Sequence, residues 1–294
     1  MKSIISLISL ILFSSYSIFP QGFDQVNIEA TKLTDRIYVL TGAGGNIGVS
    51  IGDDGIFVID AQFAPLSKKI EAKLRELSDK PIKMLVNTHY HGDHTGGNSN
   101  MHGFGAMIIA HDNVRERLAN QPGRNGQLAP KEALPVMTYN DKMNIYVNGE
   151  QVALVHVDNA HTDGDTLLYF VESNVLHLGD TYFKDWYPYI DLDSGGSVNG
   201  YIAAVKKGLM IADNDTKIIF GHGGTVANKT EYASYLEMLE GLKKIILEEI
   251  KKGKTEDEVA TDTSLTKTYD DQGFSWRFIN SEKIRRTFYK SLKG

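Results

Sequence analysis

The chain has 294 residues, 41% of them hydrophobic and 23% charged, with a formal net charge of −6, nine histidines and no cysteine. This is the balance of an ordinary soluble globular protein with ample core. The acidic balance, with no Lys/Arg stripe, excludes a nucleic-acid partner, and the missing cysteines exclude disulfides, thiolate metal ligands and cysteine acylation.

Met1-Lys2 stands before an apolar run from Ile4 to Phe13, and Ser14, Ser15 and Ser17 follow it. A basic start, a short apolar stretch and a small-residue exit predict that residues 1–20 are a cleaved secretory signal peptide. The run is too short for a stable membrane anchor. Its removal takes away only Lys2, so the net charge moves from −6 to −7. The mature protein is therefore expected in the periplasm or outside the cell.

Residues 26–60 read as strand, turn, strand, with extended runs at 36–40, 46–51 and 56–60. Gly42-Ala43-Gly44-Gly45 and the hairpin signal Asp53-Asp54-Gly55 separate them. Residues 66–77 have helical spacing, with Leu66, Ile70, Leu74 and Leu77 on one face. A strand at 84–87 follows, then a strand at 107–110 and a helix capped by Asp112 that runs to about residue 120. Residues 121–135 read as a polar loop. Asn148-Gly149 joins strands 143–147 and 151–157. Strands at 166–171 and 175–178, a helix near 198–212 capped at Ser197, and a strand at 217–220 come next. A long amphipathic helix at 230–252 and another at 280–292 close the chain. Strands and helices in two such rounds predict two β-sheets with helices on their outer faces. No linker is long enough to divide residues 21–294, so a single domain is expected, with a C-terminal helical extension from about residue 226.

Chemistry concentrates at His89-Tyr90-His91-Gly92-Asp93-His94, where the 84–87 strand runs into the turn Thr95-Gly96-Gly97. Imidazole and carboxylate are ligands of borderline metals, zinc above all. So many on one short loop would repel or stay unpaired without a cation. His161, Asp180 and His222 each follow a later strand beside small, turn-forming residues, the kind of loop where function concentrates. His156 and His177 fall inside predicted strands and His102 and His111 in or beside loops; all four are expected to be structural.

The six-residue cluster and three later ligands, in this order, resemble the metallo-β-lactamase superfamily over roughly residues 30–225. The resemblance implies an α/β fold, a four-layer αβ/βα sandwich with a metal pair along one edge. It implies that His89, His91 and His161 hold one metal, that Asp93, His94 and His222 hold the other, and that Asp180 bridges them. Two Zn2+ per chain are the expected cofactors, with nitrogen and oxygen ligands leaving iron or manganese open. Zinc can lower the pKa of a bound water from ~15.7 to about 7, and Asp93 is the expected general base. Lys184 and the run Trp186-Tyr187-Pro188-Tyr189 are candidate contacts to a small-molecule substrate.

Without cysteine, the set excludes lactamases that place a thiolate on the second metal, and it resembles the other dinuclear subclass. Asp180 is more like the bridging carboxylate of the superfamily's thioesterases and lactonases. The leading expectation is an exported zinc hydrolase acting on a lactam, lactone or other acyl bond of a small molecule. The alternatives are a thioesterase similar to glyoxalase II, an iron-dependent oxidoreductase of the same superfamily, and a binding protein with a vestigial site.

Overall fold

The computed structural model describes residues 22–123 and 126–294; the predicted signal peptide lies outside them. Among the described residues, twelve strands form two sheets. In the first, β1 (Glu29–Lys32), β2 (Ile37–Thr41), β3 (Ile47–Gly52), β4 (Gly55–Ile59), β5 (Ile82–Val86), β6 (Met107–His111) and β7 (Met137–Tyr139) lie in chain order. Pairing is antiparallel up to β4 and parallel from β4 to β7. The second sheet comprises β8 (Lys142–Val147), β9 (Glu150–His156), β10 (Thr166–Phe170), β11 (Val175–His177) and β12 (Lys217–Ile219). Its neighbours are antiparallel except for parallel β11 and β12.

Helices α1 (Ser67–Leu77), α2 (Gly92–Thr95), α3 (Asn98–Gly103) and α4 (Asp112–Asn120) belong to the first half. Helices α5 (Val198–Ile211), α6 (Lys229–Lys251), α7 (Glu256–Thr261), α8 (Lys267–Asp270) and α9 (Ser281–Lys293) belong to the second. Ile70 and Leu74 of α1 and Met101 of α3 cover the outer face of the first sheet. Tyr201, Val205, Leu239, Leu242 and Phe288, from α5, α6 and α9, cover the outer face of the second. Between the sheets Phe57, Ile37 and Val39 meet Phe170, Val152 and Leu154, and the rings of Phe57 and Phe170 pack edge to face at 6.0 Å. Each sheet thus buries one face against its partner and the other against helices, which gives the expected αβ/βα sandwich. Central β4 is buried on both faces, so Ile56-Phe57-Val58-Ile59 is apolar without alternation.

Three features depart from the expectations. His111, not Asp112, caps α4, its Nδ1 accepting from Asn113 N at 3.1 Å. His102 lies within α3 rather than in a loop. Short strands β1 and β7 went unpredicted; both are edge strands with too few core-facing residues to show periodicity.

Asn148 locks the sheets together. It sits in the left-handed region (φ 56°), as does Gly149 (φ 72°), which closes the β8–β9 hairpin. Its buried amide donates to Ser50 Oγ and Gly55 O and accepts from Asp54 N, all in the β3–β4 hairpin of the first sheet. Asn148→Ala would leave buried polar groups unpaired in a strained backbone. It should cost about 3 kcal/mol, read as a lower urea midpoint with an unchanged slope.

Candidate metal centre

Every ligand-type residue sits where a strand ends and a loop takes over. β5 delivers residues 89–94, the loop after β9 carries His161, a short turn after β11 carries Asp180, and the end of β12 carries His222. Backbone bonds register these loops across the sheets. Asn46 N donates to Gly221 O, and its side-chain amide donates to Phe220 O and Gly224 O. Ala61 N donates to His94 O. Glycine makes room for two of the ligands: a Cβ at Gly45 would collide with the His94 ring, and one at Gly221 with Asp180 Oδ1.

The seven side chains converge as two groups. His89, His91, His161 and Asp180 place ligand atoms within 4.8 Å of one another, and so do Asp93, His94 and His222. His91 Nδ1 and His161 Nε2 face each other at 2.9 Å, and His94 Nε2 and His222 Nε2 at 3.4 Å. Asp180 lies between the groups. Its Oδ2 is 3.5 Å from His161 Nε2 and 3.3 Å from His222 Nε2, and its Oδ1 is 3.2 Å from His94 Nε2. Asp93 Oδ2 is 3.3 Å from His222 Nε2.

The outward-facing nitrogens are already engaged. His89 Nδ1 meets Thr88 Oγ1 at 3.0 Å, His91 Nε2 meets Asp191 at 2.9 Å, His94 Nδ1 meets Asp60 at 2.8 Å and His161 Nδ1 meets Tyr189 O at 2.7 Å. A neutral imidazole that donates outward presents a bare lone pair inward. His89 Nε2 and Asp180 Oδ1 are buried with no hydrogen-bond partner. Buried acceptors aimed at one another are costly unless something positive lies between them. The donor set therefore fits a metal.

The ionisation tendencies follow from the same crowding. Burial and the His94 charge hold His89 well below the usual imidazole range, and burial with neighbouring His91 pushes His161 down to about 4. For His222, burial opposes protonation but Asp180 and Asp93 outweigh it, raising it to about 9. His94 is likewise raised: burial disfavours its charge, yet Asp180, Asp60 and Asp93 together overcome it. Asp93 and Asp180 stay ionised, because the adjoining imidazoles outweigh the burial that would neutralise them.

Residues that sequence reasoning missed hold the ligands in place. Asp60, at the end of β4, takes Thr88 N, Thr88 Oγ1 and His94 Nδ1 on its carboxylate, each at 2.8 Å. It adopts φ 66°, and Gln62 nearby φ 50°, the sparsely populated backbone that gathers at functional sites. Asp60 shares its strand-end position with Asp180, a signal that was available. Asp191 had none, since it follows an aromatic loop of no regular pattern.

The candidate substrate residues divide. The Lys184 ammonium pairs with Glu231 at 2.6 Å. Tyr187 is fully buried and its hydroxyl donates to Asp270 at 2.7 Å, so the polar ends of both are committed away from the cluster. The Trp186 ring packs on Gly223, next to His222. The histidines expected to be structural lie apart from the seven: His177 meets Asn46 O at 3.2 Å, and His111 stacks on His156 with centroids 3.8 Å apart.

A sequence profile described as the metallo-beta-lactamase superfamily matches residues 40–239. The hydroxyacylglutathione hydrolase of Pelagibacter ubique is 28% identical over 193 residues, 62% of this chain and 72% of that enzyme. The 2,4-dinitroanisole O-demethylase subunit alpha of a Nocardioides species is 27% identical over 134 residues, 45% of this chain. The chain spans only 39% of the length of that subunit. Among solved structures, a metallo-beta-lactamase from Pontibacter korlensis superposes with a TM-score of 0.62 at 15% identity, covering 73% of this chain and 99% of that one. The stereoselective inverting sec-alkylsulfatase Pisa1 from Pseudomonas sp. gives 0.72 at 17% identity, covering 90% and 50%. These structures share the fold. The profile and the inward-facing donor set together support a metal cofactor, and the chain belongs to the metallo-beta-lactamase superfamily, a family of metal-dependent hydrolases.

Proposed function

We propose that this chain hydrolyses an acyl bond of a small molecule, a lactam, lactone or related ester, with two zinc ions held by the seven converging side chains. The observation that carries this reading is the position of Asp180, buried between two groups of imidazoles and within 3.5 Å of a nitrogen in each. His89, His91 and His161 would hold one ion, Asp93, His94 and His222 the other, and Asp180 both. When bound, the ions would supply Lewis acidity and ionisation of water at neutral pH.

The chain's own residues do the rest. Asp180, 5% exposed at its side chain, ties the two ligand groups at a fixed spacing, whereas Asp93, 27% exposed, is open enough to meet solvent and substrate. Asp93 is therefore the residue that accepts the proton of the attacking water. Asp191 and Asp60 meet the outer ring nitrogens of His91 and His94, which orients both rings and turns their inner nitrogens toward the ligand site.

A second reading is thioester hydrolysis, supported by the bridging position of Asp180 and by the relative named hydroxyacylglutathione hydrolase. The export reading rests on the N-terminal pattern of residues 1–20. Among the described residues no helix is long and apolar enough to cross a membrane.

Purified protein should carry close to two zinc ions per chain by elemental analysis, lose hydrolysis of a lactam, lactone and thioester panel after chelation, and regain it with zinc. A loaded protein inert on the whole panel would remove the hydrolase reading, and iron in place of zinc would favour oxidoreductase chemistry. Asp93→Ala should lower kcat at least about 100-fold while the first metal is retained. Asp60→Ala should weaken zinc affinity about 10- to 100-fold, measured by competition with a chromogenic chelator; unchanged affinity would mean that Asp60 only braces the fold.

A further inference from the structure

The mouth of the site is bounded by aromatic rings that run from one ligand group to the other. Phe183 stacks on His222, 5.4 Å between centroids and 8° between planes. Trp276 lies 6.0 Å from Phe183 and stacks on Trp186 at 4.7 Å and 13°. Phe278 lies 5.7 Å from Trp276 and 5.1 Å from Tyr189. Tyr189 then stacks on His91 at 5.6 Å and 21°. Trp276 and Phe278 come from a loop beyond residue 239, where the superfamily profile ends. Trp276 is pinned there by its Nε1, which donates to Tyr187 O at 2.9 Å.

Two features set this rim apart from ordinary packing. Phe278 is 43% exposed, a large apolar ring open to water beside a buried polar cluster. Lys283, from the first turn of α9, holds its ammonium 4.2 Å from the Phe278 centroid and 5.5 Å from that of Tyr189. Among the described residues no carboxylate pairs with it, and its Nζ donates only to Phe278 O at 3.2 Å. Partial burial lowers the lysine's pKa without a carboxylate to offset it. The site therefore offers flat ring faces near the ligand groups and an uncompensated cation at their outer end.

We propose that this rim is the substrate subsite, receiving a planar aryl group on Trp276 and Phe278 and an anionic substituent at Lys283. Ring faces favour a flat partner over a puckered alicyclic one of equal carbon count, through offset stacking. The cation over Phe278 can turn to a carboxylate without breaking another ion pair. This deepens the hydrolase reading by naming its substrate class, while the binding claim stands on the rim alone.

Trp186 and Trp276 are the only tryptophans in the chain and they stack on each other, so intrinsic emission reports this rim. Zinc-loaded full-length protein would be titrated with benzoate, cyclohexanecarboxylate and benzamide. Benzoate should change the emission at about fivefold lower concentration than cyclohexanecarboxylate. Phe278→Ala, at an exposed position that leaves the fold intact, should erase that preference. Lys283→Met should weaken benzoate about threefold and leave benzamide unchanged, with Lys283→Arg restoring the wild-type value. Equal affinity for the two carboxylates, or an unaltered preference in Phe278→Ala, would overturn the proposal. Aryl-selective binding without turnover of the acyl panel would sink the hydrolase reading alone; turnover with no aryl preference would sink this one alone.

Discussion

Five imidazoles and two carboxylates are held with their ligand atoms pointing at one another, and most of the local architecture serves that arrangement. His91 Nδ1 and His161 Nε2 are 2.9 Å apart, and His89 Nε2 and Asp180 Oδ1 are buried without a hydrogen-bond partner. Left to itself a chain avoids such contacts, because desolvated lone pairs with no positive partner oppose folding. The strain is distributed outward. Asp60 and Gln62 take left-handed backbone, Gly45 and Gly221 give up a side chain, and carboxylates or carbonyls satisfy the outer nitrogens. A metal cation between the inner atoms turns the unfavourable arrangement into a favourable one, which is why the supporting contacts are as much a part of the site as the ligands.

The sandwich makes this convergence possible. The first sheet supplies residues 89–94, and the second supplies His161, Asp180 and His222. No single loop could bring seven donors together at fixed spacing. Two sheets stacked through Phe57 and Phe170 and stitched by Asn46 and Asn148 can. Each ligand group draws on both sheets, so the inter-sheet core sets the closure of both, and Asp180, just after β11, lies within reach of nitrogens in each.

Much of this was legible in the chain. Helix α1, the β8–β9 hairpin and the long α6 carried strong local signals: apolar spacing in the two helices and Asn148-Gly149 in the hairpin. The hexapeptide announced its chemistry because four metal-type donors within six residues have no ordinary structural use. Single donors such as His161 gained meaning only from their order along the chain. Asp60 offered only the strand-end position it shares with Asp180, and Asp191, after an aromatic loop of no regular pattern, offered nothing until the fold put a histidine beside it. The cap of α4 was misassigned for a related reason: His111 ends a strand, and nothing local shows that its Nδ1 turns back to Asn113.

The least legible part is the rim, and the reason is topological. Phe183, Trp186 and Tyr189 lie just after Asp180, but Trp276 and Phe278 are almost a hundred residues further on, past helices α5 to α8 and in a segment without periodicity. Their meeting depends on α9 docking against α5 and α6 through Phe288 and Ile284, and on Tyr187 and Ser281 both bonding to Asp270. The ligand cluster answers to the demands of a metal, which fix residue type and spacing tightly. The rim answers only to the shape of what enters, so many ring arrangements would serve and none leaves a short motif. That division places the reaction type in the strand-end loops and the choice of substrate in the C-terminal segment that folds over them.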